Sequence, residues 1–76
     1  MDNNSDKLNY ILADCNHFER HHPYLSKVIA GASLKMLNDI AKTHKESLGF
    51  PDALSAQERV LDLQFGYWLR AARGNQ

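Results

Sequence analysis

Residues 55–73 read SAQERVLDLQFGYWLRAAR, and the fold turns on this stretch. Its opening, Ser55-Ala56-Gln57-Glu58, has the form of a capping box, in which serine and glutamate satisfy each other's free backbone amides. Gly74 suits the position just past a helix end, and Arg70 and Arg73 complement the negative end of a helix dipole. The spacing therefore predicts a helix over 56–73. At 100° per residue, Val60, Leu61, Leu63, Phe65, Tyr67, Trp68, Leu69, Ala71 and Ala72 cover roughly two-thirds of its circumference. Arg59, Asp62, Gly66, Arg70 and Arg73 form the polar remainder. A helix on the surface of a small monomer usually needs an apolar stripe only a little over ~100° wide. This helix has more apolar surface than that.

Working back toward the start, Pro51 and Pro23 divide the chain into three pieces, each with helical periodicity. The middle piece predicts a helix over about 24–47, with Pro23 as its first residue or cap and Gly49 just past its end. Leu25, Val28, Ile29, Ala32, Met36 and Ile40 form one stripe on it, and Leu34, Leu37, Ala41 and Leu48 a second. The first piece predicts a helix over about 5–21, capped by Ser5 or Asp2. Its stripe is Leu8, Ile11, Leu12, Cys15 and Phe18, and His22-Pro23 ends it because the residue before proline avoids the helical region. No stretch alternates with the period of a strand. The expectation is one all-α domain over 1–76: a short first helix packed on an antiparallel hairpin of two longer ones.

Two features of the pattern bear on packing. Ala30-Gly31-Ala32-Ser33 is a run of small residues that the hairpin would place opposite Ala71 and Ala72. A glycine inside a helix costs about 1 kcal/mol against alanine, so Gly31 and Gly66 point to places where no side chain fits. Gln57 and Gln64 interrupt the apolar arc of the last helix. A buried amide there needs a partner, and an amide at the edge of the arc reaches water.

A chain of 76 residues has a core that supplies only ~3–5 kcal/mol of net stability. Cys15 is the single cysteine, so no disulfide within the chain can add to it, and a lone cysteine on a helix reads as a small buried hydrophobe. The surplus apolar surface instead predicts self-association, with a two-fold dimer as the commonest form. Phe65, Tyr67, Trp68, Leu69 and Leu63 are the expected interface, with Tyr24 as a further contact.

Nine basic and nine acidic residues give a net charge of zero, which argues against a broad electrostatic grip on nucleic acid. Lys27, Lys35, Lys42, Lys45, Arg59, Arg70 and Arg73 keep a nucleic-acid-associated regulator as a lesser alternative. The last helix is too apolar for a recognition helix, and Asp39 and Glu46 interleave the lysines. No apolar run approaches a membrane span. The polar opening from Met1 to Lys7 lacks the pattern of a signal peptide, so the expected compartment is the cytoplasm.

Asp14, His17 and His21 share one face of the first helix, a spacing that offers a carboxylate and two imidazoles to one metal ion. The alternative is a solvated face of ordinary histidines. Lys27, Arg59, Arg70 and Arg73 are candidates for holding a small anionic ligand at an oligomer interface. Catalysis is not expected: Cys15 lacks an orienting triad, and glycine-rich phosphate loops are absent. The residues thus predict a non-enzymatic module without cofactor, a small regulator, inhibitor or adaptor that binds another protein through an apolar helical surface.

Overall fold

The computed structural model describes residues 3–74. The described residues are helical throughout, apart from short connections, in the order α1 (Asn3–His21), α2 (Pro23–Gly31), α3 (Leu34–His44) and α4 (Ala53–Gly74). This is one helix more than the three expected. The first helix, at 19 residues, is longer than α2 or α3, so it is not the short element of the fold. It already begins at Asn3, which puts Ser5 inside its first turn. The alternative cap, Asp2, lies outside the described residues.

The expected 24–47 helix divides at Ala32-Ser33. Ala32 takes extended backbone angles, and Ser33 caps α3 by accepting the Met36 N–H on its hydroxyl at 3.2 Å. Serine is among the best N-cap residues, and glycine is among the weakest helix formers. Gly31-Ala32-Ser33 is thus a local stop-and-restart signal as well as a run of small residues. A distant side chain completes it: the Gln64 amide donates to Ile29 O at 2.9 Å and to Ala32 O at 2.7 Å. The Ile29 carbonyl also accepts from the Ala32 N–H. Gln64 is therefore buried with its amide nitrogen making two hydrogen bonds, not an edge residue reaching water.

The other boundaries have local causes. Pro23 opens α2 one residue after α1 ends, where a missing N–H costs nothing. The α3 ladder closes around Gly49, which has a φ of +80°. Gly49 N–H donates to Glu46 O and Phe50 N–H to Lys45 O, the paired bonds of a Schellman closure. α4 starts at Ala53, ahead of the expected capping box. Its cap is Asp52, whose carboxylate accepts the Ser55 N–H at 2.8 Å. That bond holds the Asp52 carboxyl below its usual range.

α4 touches all three other helices. Cys15 and Phe18 from α1, Ile29 from α2, Leu37, Ile40 and Ala41 from α3, and Ala56, Val60, Leu63 and Tyr67 from α4 form one buried cluster. α1 crosses α4 at Gly66, where an added Cβ would overlap Cys15 Sγ and lie 2.9 Å from Ile11 Cγ2. Gly31 meets open space instead, so only one of the two glycines marks a close approach. Ala71 and Ala72 are exposed. The small-residue run does not form a tight seam against them.

Candidate protein-binding surface

Four large apolar side chains of α4 stand open to solvent: Leu54 is 65% exposed, Leu61 42%, Phe65 49% and Trp68 58%. At 100° per residue they fall with Ala72 into one sector roughly 60° wide. Leu61, Phe65, Trp68 and Ala72 run along the helix at the three- and four-residue spacing of a packing seam, and Leu54 lies seven residues before Leu61 on the same face. The buried positions of α4, including Val60, Leu63 and Tyr67, lie on the opposite side. The apolar surplus read from the sequence is therefore real, but its membership differs.

Tyr67, expected at the interface, is 5% exposed and belongs to the core. Its hydroxyl donates to Cys15 O at 3.5 Å, and burial pushes its pKa up to about 12. Leu63 is likewise buried. Leu69 is half-buried beside the stripe. Phe65 and Trp68 are the two expected interface residues that α4 leaves open. Trp68 is also oriented, since its indole N–H donates to Ala30 O at 2.9 Å. Tyr24 is exposed but stands apart. It lines a separate groove of about 420 Å³ with His22, Pro23, Leu25, His44 and Leu48.

The structure adds residues that the expected interface lacked. Leu54 and Leu61 join the stripe, and the signal for them was the spacing 54, 61, 65, 68 and 72. Leu34 of α3 is 63% exposed. Gln57 donates to Asn38 at 2.7 Å, while Gln64 reaches Ala32, so α3 runs antiparallel to α4. One helical turn on from the Gln57–Asn38 bond, this register sets Leu34 beside Leu61 and extends the apolar patch onto α3.

The rim of the stripe is charged. Glu58 and Asp62 lie along one edge toward the start of α4, and Arg73 lies along the same edge toward its end. All three are exposed. None has an ion-pair partner among the described residues.

The remaining constellations are not assembled as the sequence suggested. Asp14 is bound to Arg59 at 2.7 Å, while His17 and His21 stack with ring centroids 4.4 Å apart. The His21 ring nitrogen Nδ1 is 3.0 Å from His17 O. Among the described residues, no three or more His, Cys, Asp or Glu side chains are grouped to hold a metal ion. The four anion candidates do not converge either. Arg59 is committed to Asp14, and its guanidinium lies 5.5 Å from the Phe50 ring centroid. Arg70 grips Glu19 through two bonds of 3.0 and 2.9 Å and also donates to Asn16. This pairing holds the Glu19 carboxyl below its usual range. Lys27 shares a cleft of about 490 Å³ with Arg70 and Glu19, and Arg73 stands exposed on the far edge of α4.

Cys15 is fully buried, with its thiol donating to Leu63 O at 3.4 Å. Burial is the largest cause of its pKa rising to about 11. A thiol in this state is a packing group, not a nucleophile. No described helix is long and apolar enough to cross a membrane. Comparisons with protein-family models, curated proteins and solved structures find no match to this chain.

Proposed function

We propose that this chain is a non-enzymatic protein-binding module, a small regulator, inhibitor or adaptor, which acts through the apolar stripe of α4. The observation that carries the reading is the alignment of Leu54, Leu61, Phe65 and Trp68, all open to solvent, on one face of the helix that organises the core. Contiguous apolar patches on small proteins mark interaction sites, and aromatic anchors dominate the energetics of such sites. Trp68 is held in place by its bond to Ala30 O, so it loses less freedom on binding than a mobile side chain would.

A nucleic-acid role has less support, because Arg59 and Arg70 are already neutralised by Asp14 and Glu19. The buried, protonated state of Cys15 agrees with a role outside catalysis.

The test is affinity capture from extract of the source cells, with the wild-type chain and the Phe65→Glu variant compared side by side. A protein retained by wild type and by Tyr24→Glu, but lost with Phe65→Glu, supports the reading. Retention that ignores Phe65, or no specific retention at all, removes it.

A further inference from the structure

We propose that the occupant of the stripe is a second copy of this chain, with the two α4 helices packed antiparallel across a two-fold axis. This proposal rests on the reading that the α4 stripe binds protein, and it names the partner.

Area is the first argument. Leu34, Leu61, Phe65 and Trp68 together leave about 420 Å² open, taking roughly 200 Å² for a large side chain. Two copies pairing on this patch cover about 850 Å² from these side chains, and Leu69, Ala72 and the charged rim enlarge it. A specific interface needs about 1,000 Å² or more in total.

Charge chooses the orientation. In a parallel two-fold pair the rims fall on opposite sides, so Glu58, Asp62 and Arg73 would face the uncharged Gln57, Gln64 and Ala71 edge of the partner and stay unpaired. Antiparallel pairing brings the acidic end of one rim to the basic end of the other. When Phe65 of one copy lies level with the partner's Trp68, the two-fold repeats this aromatic contact. Leu61 then meets the partner's Ala72. In the same register Arg73 falls between the levels of the partner's Glu58 and Asp62. Each of these charged side chains is exposed and lacks an ion-pair partner within the described residues of its own chain. The arrangement is isologous, as a closed two-fold dimer requires.

Sedimentation equilibrium of the full chain tests the proposal. Wild type is expected as a dimer. Phe65→Glu is expected as a monomer with an unchanged helical circular-dichroism spectrum, which separates lost pairing from lost folding. Asp62→Arg and Arg73→Asp are each expected to weaken the dimer about tenfold, equivalent to roughly 1.4 kcal/mol. Both changes together with Glu58→Arg in one chain should restore pairing to within about threefold of wild type, because every rim contact then regains its opposite charge.

Three results overturn the proposal: a wild-type chain that stays monomeric to about 1 mM, where association is worth only ~4 kcal/mol; single charge reversals that leave the dimer unchanged; or a triple reversal that recovers nothing. A monomer that nonetheless captures a protein through Phe65 refutes the self-pairing alone. A dimer that captures nothing further refutes the regulator reading alone.

Discussion

Replacing Gln64 by leucine tests how a single side chain holds the α2–α3 break open. The wild-type amide donates to Ile29 O and Ala32 O at 2.9 and 2.7 Å, in a setting where Gln64 is only 8% exposed. Leucine keeps most of the volume and removes both donors. The Ile29 carbonyl retains its bond from the Ala32 N–H. The Ala32 carbonyl loses the one partner recorded for it. An orphaned buried acceptor costs about 1–3 kcal/mol, so a loss of about 2 kcal/mol is expected. For a domain of this size that lowers Tm by on the order of 10 °C. Gln64→Glu has nearly the same shape but, when ionised, points only acceptors at the two carbonyls. It should be worse than leucine at pH 7. Its carboxyl gains from staying protonated in the fold, so relative to wild type this variant does best below about pH 4 and loses stability as pH rises from the ordinary carboxyl range through its raised pKa. Urea and thermal unfolding followed by circular dichroism, all at one protein concentration, would measure both variants. A leucine variant within about 0.5 kcal/mol of wild type, the spread of an ordinary surface change, refutes the reasoning. So does a glutamate variant without pH dependence beyond that of wild type.

Further expectations follow from the packing. Gly66→Ala should destabilise by about 1–3 kcal/mol through overpacking against Cys15 and Ile11, although alanine is the better helix former. Gly31→Ala, facing open space, should be neutral or slightly stabilising, and the two unfolding curves decide the matter. Cys15 should react with a disulfide reagent at pH 8 only at the rate of opening, because burial keeps its thiol protonated up to about pH 11; rapid stoichiometric labelling of the folded chain would contradict this. The same raised pKa, with that of Tyr67 at about 12, sets an alkaline limit. Once pH passes 9, the unfolded chain releases the Cys15 proton and the folded chain keeps it, so stability falls from there, and from pH 10 the tyrosine adds to the fall. Cys15→Ala should remove the earlier part of that decline in an unfolding series from pH 8 to pH 11.

What the residues disclosed on their own divides along local and distant causes. Pro23 at the start of α2 and Gly49 at the end of the α3 ladder act within one turn, and both were readable. The break at Gly31-Ala32-Ser33 was readable in part. Its capping serine is local, but the amide that satisfies the α2 carbonyls comes from Gln64, far along the chain. Asp52 and Ser55 are both good caps, and the bond from Asp52 to the Ser55 amide decides between them. The apolar excess of the last helix was visible as periodicity. Which side of it stays open depends on where α1 and α3 pack. That is why Tyr67 and Leu63 turn inward, while Leu61 and Leu54 join Phe65 and Trp68 outside. Asp14, Arg59 and Arg70 looked like ligands one helix at a time. Packed together, Asp14 pairs with Arg59 and Arg70 with Glu19.

Trp68 is the chain's only tryptophan, and it stands in the open stripe. Its fluorescence therefore reports directly on whether protein covers α4. Emission should move to the blue and become shielded from acrylamide as protein concentration rises, and Phe65→Glu should abolish both changes. Emission that stays red and freely quenched at every concentration, with any captured protein present as well, would contradict the claim that this stripe is a binding surface.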